Sequence, residues 1–383
     1  MLKAVADDLP GDVNAIRNLA AVSHQLADAE WRLGHGTRAR ELHAEALRLR
    51  QERLKTVTAG GDEQTKADAA LDVAESFAHV AYADLRLGDP EKAVENYHAS
   101  DAAFANLPPP LTSWLKVRRT RAEIQVRLGD AQSRLKKDEL AQKHYLDALD
   151  ERETLLRSTQ RPPSIVGLIK TDIGQSRMYL GDFLLFIRKD PQAAAIVYEM
   201  SLRDFLNVLT DEPDSLDLRQ RVAAAHYRLG VTGIERPEAA LIGGGGADAA
   251  MRSRHYAESL RLREELAKID SKDMQGQVEL LLSLARLGRT DDAERVATGM
   301  MKQAGTDPQV LFQMACGHAI LANGTSETAK RNRDQAFRVM AKLIECGWKD
   351  RVGLETDPDF EAIRGDKRFA EIIARLEAKA EGS

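Results

Sequence analysis

Apolar positions along this chain recur at helical spacing, in pairs of segments joined by short polar turns. The stretch Leu128–Leu149 contains two such segments, with small residues at Gly129, Ala141 and Ala148. Apolar residues three and four positions apart share one face of an α-helix. Small residues on that face let two helix backbones approach closely. The stretch therefore predicts a hairpin of two packed α-helices.

The same pattern returns along most of the chain. A leucine or valine precedes the small residue of each first helix at intervals of 48 to 54 residues, at Leu26, Val80, Leu128, Leu180 and Leu229. The fourth unit carries one extra residue between its small positions. Recurrence near 50 residues is typical of stacked helical hairpins, each of which has an apolar face that it cannot bury alone.

We predict an all-α solenoid of about seven helical hairpins with a short C-terminal helical cap. Repeats are expected over residues 1–235, a Gly-rich insertion over 236–250, further hairpins over 251–345, and capping helices over 346–383. In the second unit, Asp89 is expected to cap a helix that begins with Pro90. The first residues resemble a linker between repeats, so we also expect the array to begin upstream of this chain.

The composition fits this prediction and narrows the class of partner. Hydrophobic residues make up 43% of the chain and aromatic residues 5%, which suits packed helices better than sheets. The net charge is −5 with both signs interspersed, so no nucleic-acid footprint is expected. No apolar run is long enough to cross a membrane, and no signal peptide opens the chain. Neither Cys316 nor Cys346 lies in a CxxC motif, which favours a reduced, cytoplasmic protein.

Motifs for catalysis, cofactors or metals are absent from the sequence. The glycines at 243–246 are followed by Ala247 and Asp248 instead of the Gly-Lys-Ser/Thr of a phosphate loop, so a flexible insertion is expected. The nine histidines form neither an HExxH motif nor a Cys/His spacing. We therefore expect no enzyme activity, no cofactor and no metal site.

The repeated unit resembles a tetratricopeptide repeat over nearly the whole chain. The residues that carry the resemblance best are Leu128, Gly129, Leu135, Ala141, Tyr145 and Ala148. The resemblance implies a right-handed superhelix in which the first helix of each unit lines a concave groove. The spacing and the ending from Trp348 to Ile373 are similar to the C-terminal repeat regions of planctomycete-type bacterial serine/threonine kinases. No HRD or DFG tripeptide occurs, so this similarity implies an attached interaction region without phosphoryl transfer.

The resemblance also indicates which side chains face the groove. Arg32, Arg86 and Arg134 occupy equivalent places, and such a ladder of guanidinium groups could hold carboxylates or a peptide backbone. Alternatively, Asp28–Arg32 and Asp130–Arg134 are i,i+4 pairs that steady their own helices by ~0.2–0.5 kcal/mol each. The predicted partner-binding residues are His24, Asp28, Trp31, Arg32, Tyr82, Arg86, Glu123, Asp130, Arg134, Gln175, Asp182 and Phe186.

The sequence thus predicts a non-catalytic scaffold that binds a peptide or partner protein in its concave groove. A first alternative is a detached or truncated regulatory arm of a bacterial serine/threonine kinase. A second alternative, from another class, is a small-molecule sensor or enzyme with a pocket inside the superhelix. The uncapped N-terminal repeat end is also expected to allow homo-oligomerisation.

Overall fold

A computed structural model describes residues 12–32, 35–158, 162–233, 249–303, 307–348 and 350–381. Within these ranges all regular secondary structure is helical, which confirms the predicted all-α class. The chain divides into two compact units, Met1–Glu151 and Arg152–Ser383. Most of the predicted Gly-rich insertion, residues 236–248, lies outside the described residues.

Unit 1 consists of antiparallel helix pairs. Its helices are α1 (Val13–Arg32), α2 (Gly36–Gly60), α3 (Glu63–Arg86), α4 (Pro90–Ala105), the short α5 (Pro109–Thr112), α6 (Leu115–Arg134) and α7 (Asp138–Arg157), whose last turns belong to unit 2. The hairpins are α1–α2, α3–α4 and α6–α7, as the spacing of small residues predicts.

Unit 2 continues with four hairpins and ends in short helices. Its helices are α8 (Pro163–Asp182), α9 (Pro191–Asp211), α10 (Leu216–Thr232), α11 (Ala249–Ile269), α12 (Met274–Arg286), α13 (Thr290–Gln303), α14 (Pro308–Leu321), α15 (Glu327–Glu345), α16 (Arg351–Thr356), α17 (Glu361–Arg364) and α18 (Lys367–Glu381), with a 3₁₀ turn at Pro358–Phe360. Leu354, Phe360 and Ile363 are fully buried, so the predicted C-terminal cap is confirmed.

Small residues on the first helices receive the tyrosines of the second helices. A Cβ atom at Gly129 would lie 2.8 Å from Cε1 of Tyr145, and one at Gly230 would lie 2.7 Å from Cε1 of Tyr256. These separations are shorter than van der Waals contact, so a larger side chain would displace the ring. The predicted close approach of the paired helices is confirmed at both sites.

The extra residue of the fourth unit is taken up inside its first helix. After α8 the chain continues as a π-helical turn, Phe183–Ile187, in which the N–H of Arg188 donates to the carbonyl of Phe183. A π-helical turn holds more residues than an α-helical turn, so it accommodates an added residue. Gly181 still packs on the ring of Tyr198, so the contact between the paired helices is kept.

The cap of α4 has the predicted geometry. Asp89 Oδ1 accepts a hydrogen bond from the N–H of Lys92 at 3.1 Å, and Pro90 is the first helical residue. The equivalent cap of α9 is Asp190, which accepts from the N–H of Ala193 at 2.9 Å and is also followed by a proline. Two second helices therefore begin with the same aspartate–proline pair.

Replacing Asp89 with alanine is expected to cost about 1 kcal/mol of unfolding free energy, because one N–H group at the start of α4 loses its acceptor. Urea denaturation followed by circular dichroism measures this loss. Asp89→Asn keeps an acceptor at the same place and should stay within a few tenths of a kcal/mol of the wild type. Equal losses for the two variants would contradict the capping role.

Among the described residues, no helix combines the length and the apolar character that crossing a membrane requires.

Candidate functional site

The predicted binding residues of unit 1 lie on its first helices, α1, α3 and α6. The guanidinium carbon of Arg86 lies 4.4 Å from the centroid of the Trp31 ring and 5.7 Å from that of Tyr82. Cation–π contacts of this kind contribute ~0.5–1 kcal/mol at exposed sites. Three predicted residues from two hairpins therefore form one cluster. Arg32 belongs to α1, but its side chain lies outside the described residues.

A cavity of about 380 Å³ opens beside this cluster. Two predicted residues, Tyr82 and Glu123, line it. The volume falls at the small end of the ~300–1,000 Å³ that is usual for ligand pockets. The other lining residues come from α3, α4 and α6, and they are Glu75, Ala78, His79, Tyr97, Lys116, Thr120, Ile124 and Arg127.

The hydroxyl group of Tyr97 is buried in the wall of this cavity. The residue is 1% exposed, and its hydroxyl oxygen has no hydrogen-bond partner among the described residues. Burial raises the pKa of Tyr97, so the group is a neutral hydroxyl that can donate. A buried hydroxyl without a partner costs ~1–3 kcal/mol. The hydroxyl oxygen is also closed to solvent in the free protein, so a ligand in the cavity reaches it only when neighbouring side chains move aside.

Tyrosines at the equivalent place in the next two hairpins do have partners. The hydroxyl of Tyr145 donates to Asp130 at 2.6 Å, and the hydroxyl of Tyr198 donates to Asp182 at 2.5 Å. Each aspartate directly follows the small residue of its first helix. In the second hairpin that place is occupied by Tyr82, which is 41% exposed. The exchange of aspartate for tyrosine accounts for the unpartnered hydroxyl in the cavity.

Charges of both signs surround the cavity. Lys116 Nζ lies 2.5 Å from a carboxylate oxygen of Glu75, and Arg127 lies 2.8 Å from Glu123. The guanidinium carbon of Arg127 is also 5.4 Å from the centroid of the Tyr82 ring. A ligand that presents both hydrogen-bond donors and acceptors can take the place of one partner in either ion pair.

Two predicted residues of α6 make contacts inside the protein. Arg134 donates to the backbone carbonyl of Leu85 at 2.6 Å, which ties α6 to α3. Asp130 accepts from the hydroxyl of Tyr145, and burial raises the pKa of its carboxyl group. Part of the hydrogen-bonding capacity of both residues is therefore used in packing the hairpins.

Two predicted residues of α1, His24 and Asp28, face the second helix of their own hairpin. Nδ1 of His24 lies 3.3 Å from Nδ1 of His43, and a carboxylate oxygen of Asp28 lies 3.7 Å from Nε2 of His43. Neither residue lines the cavity. The structure therefore groups them with a histidine of α2 instead of with Tyr82 and Glu123.

Two of the three predicted residues of unit 2 line a second, smaller cavity of about 190 Å³, whereas Phe186 does not. Asp182 accepts a hydrogen bond from Arg228 Nε at 2.7 Å. The guanidinium carbon of Arg228 also lies 5.3 Å from the centroid of the Phe186 ring. Gln175 accepts from Arg221 at 2.5 Å. Asp182 and Gln175 both line this cavity, and both are hydrogen-bonded to arginines of α10.

Several residues at these sites were missed by sequence reasoning. Tyr97, Lys116 and Arg228 are far in sequence from the residues that they approach, so no local motif indicates them. One signal was present in the sequence. The first four aligned repeats show aspartate at three equivalent positions, Asp28, Asp130 and Asp182, and Tyr82 at the fourth, which marks the second hairpin as different.

Hairpins packed through small residues and tyrosines, with a cavity on the face of the first helices, define an all-α protein of repeated helical hairpins. No family model and no curated protein matches the chain.

The solved structures that this chain resembles share little of its sequence. BtubC from P. vanneervenii is 16% identical, covering 82% of this chain and 92% of that chain, with a TM-score of 0.41. A Rap protein complexed with competence and sporulation factor is 13% identical, covering 96% and 98%, with a TM-score of 0.45. The Rap conjugation gene regulator of plasmid pLS20, in complex with the Phr* peptide, is 12% identical, covering 96% and 95%, with a TM-score of 0.46.

Proposed function

We propose that the protein is a non-catalytic scaffold that binds a peptide segment of a partner protein along the first helices of unit 1. The observation that carries the proposal is the buried, unpartnered hydroxyl of Tyr97 in the cavity wall. Retaining such a group has a stability cost, which is offset when a ligand accepts its hydrogen bond. One side chain of the peptide is proposed to enter the cavity.

The lining favours a particular kind of side chain. Ala78, Ile124 and the ring of Tyr82 supply apolar contact, while Tyr97 supplies a donor. A side chain with an apolar stem and a terminal oxygen acceptor, such as glutamine or glutamate, matches this arrangement. Exposed aromatic rings beside a pocket are frequent anchors of protein interfaces. The Tyr82 ring is proposed to hold the adjoining part of the peptide.

The test begins with selection of binding peptides from a displayed library by the purified chain, followed by fluorescence polarisation. Tyr97→Phe removes only the hydroxyl and is expected to weaken binding about 3- to 10-fold. The same variant should raise the stability of the free protein, because a buried unpartnered group is lost. Tyr82→Ala is expected to weaken binding about 10-fold or more.

Trp114→Ala is the matched control, since Trp114 is an equally exposed aromatic residue that does not line the cavity. Its affinity should stay within about 2-fold of the wild type, as is usual for surface positions outside a binding site. Unchanged affinity for both Tyr97→Phe and Tyr82→Ala would overturn the proposed site.

A small-molecule ligand is the second candidate, because the cavity volume lies in the range of such pockets. Arg86 separates the two candidates. Arg86 contacts Trp31 and does not line the cavity. Arg86→Ala should therefore weaken the binding of an extended peptide and leave the binding of a compact ligand unchanged. The kinase-associated role, the cytoplasmic location and homo-oligomerisation stay predictions from the sequence.

A further inference from the structure

Three histidine rings from three different helices of unit 1 meet side by side. His24 comes from α1, His43 from α2 and His79 from α3. The ring centroids of His24 and His43 are 5.2 Å apart, and that of His79 lies 4.4 Å from His24 and 5.6 Å from His43. Because each ring comes from its own helix, the sequence contains no metal-binding motif at this place.

The nitrogen atoms of two of these rings converge. Nδ1 of His24 lies 3.3 Å from Nδ1 of His43. Two nitrogen ligands at ~2.0–2.1 Å from a tetrahedral zinc ion lie about 3.3–3.4 Å apart. The observed separation therefore matches that of two imidazoles bound to one ion.

A carboxylate lies at the other edge of the same rings. One oxygen of Asp28 is 3.7 Å from Nε2 of His24, and the other oxygen is 3.7 Å from Nε2 of His43. Histidines that bind a metal through one nitrogen usually donate the other N–H to a carboxylate, which fixes the ring orientation. Asp28 lies equally close to both rings, just beyond hydrogen-bond distance of each Nε2.

We propose that His24 and His43 bind a divalent transition-metal ion of the zinc class through their Nδ1 atoms, with Asp28 as the positioning residue. Imidazole nitrogen is a common ligand for zinc, cobalt, nickel and copper ions. The ion would join α1 to α2 and so fasten the first hairpin. The two ligand residues do not line the proposed peptide-binding cavity, but the neighbouring His79 ring does.

The surroundings agree with this chemistry. Burial lowers the pKa of His43 to about 4 and the pKa of His24 as well, so both rings are neutral at pH 7 and have a free electron pair for a metal. The nearby guanidinium group of Arg50 opposes a cation, but it donates to Ser76 Oγ at 2.6 Å. The carboxylate of Asp28 supplies the compensating negative charge.

A second histidine pair in unit 2 provides an internal comparison. Nδ1 of His226 and Nδ1 of His255 are 2.9 Å apart, which is the usual length of a direct hydrogen bond. Among the described residues this pair does not belong to a cluster with a carboxylate. It therefore serves as a matched control for the pair in unit 1.

The test titrates the full chain, stripped with a chelator, with Co²⁺ followed by absorption spectroscopy and with Zn²⁺ by competition calorimetry. One saturable site per chain is expected. His24→Gln should weaken binding at least about 100-fold, and Asp28→Asn about 10- to 100-fold. His226→Gln should leave the metal affinity within about 2-fold of the wild type. His226 is neither a proposed metal ligand nor the carboxylate that positions the ligands.

Circular dichroism checks that each variant is folded. The side chain of Asp28 is 49% exposed, so Asp28→Asn is expected to fold. This variant therefore still tests the proposal if His24→Gln fails to fold. Absence of saturable binding, or affinity unchanged in Asp28→Asn, would overturn the proposal. A loss of binding in His226→Gln equal to that in His24→Gln would likewise overturn it.

Discussion

Replacing Gly129 with leucine is expected to destabilise unit 1 by about 3 kcal/mol, the upper end of what overpacking a core usually costs. Even a Cβ atom at this position would lie 2.8 Å from the ring of Tyr145, whose hydroxyl is held by Asp130 at 2.6 Å. The ring cannot move aside without losing that hydrogen bond. Urea denaturation followed by tryptophan fluorescence measures the change, since Trp31 and Trp114 both belong to unit 1.

Gly60→Leu is the matched control, because it is the same substitution in the same unit. No atom lies within 4 Å of a Cβ built at Gly60, which ends α2 at the surface. Its effect should stay within about 0.5 kcal/mol. An unchanged denaturation midpoint in Gly129→Leu would mean that the two helices do not depend on close packing at this point.

Replacing Arg286 with methionine is expected to cost about 3–5 kcal/mol at pH 8, because it leaves the largely buried carboxylate of Asp359 without its ion-pair partner. Arg286 forms an ion pair with Asp359 of the C-terminal cap. Burial and then the neighbouring Asp359 raise the pKa of Asp357 to about 7, whereas Arg286 acts in the opposite direction. Loss of the guanidinium group therefore raises that pKa further.

The sign of the pH dependence follows from this pKa. The folded state keeps a proton on Asp357 that the unfolded state releases, so stability falls as the pH rises from about 4 to about 7. Arg286→Met should extend this fall above pH 7, and its loss of stability should be smaller at pH 5 than at pH 8. Thermal unfolding at the two pH values measures both effects.

Arg351→Met provides the contrast for this second prediction. Arg351 is 47% exposed and pairs with Glu355 at 2.8 Å on the surface, so its loss should cost less than about 1 kcal/mol. Equal costs for Arg286→Met and Arg351→Met would show that the cap does not depend on the buried pair.

The hairpins were predictable because their signal is local. Periodic apolar positions and small residues such as Gly129 and Ala141 determine which face of each helix is packed, and these residues are buried as expected. The Asp89–Pro90 cap was predictable for the same reason, since its chemistry involves adjacent residues.

The candidate sites were only partly predictable, because their residues meet across hairpins. The sequence indicated Tyr82 and Asp182 through their register in the repeat. It did not indicate that Arg228, 46 residues further along, would bind Asp182. The meeting of His24 and His43 likewise depends on how two helices pack, which the periodicity alone does not specify.

The π-helical turn at Phe183–Ile187 has a consequence for how repeats of this kind change length. Because a single added residue is absorbed within one helix, a one-codon insertion leaves the pairing of Gly181 with Tyr198 in place. Alignments that allow gaps only in the turns between helices would therefore misplace the residues after Asp182. Repeats of unequal length in such a chain can therefore arise from insertions inside helices as well as from changes in the turns between them.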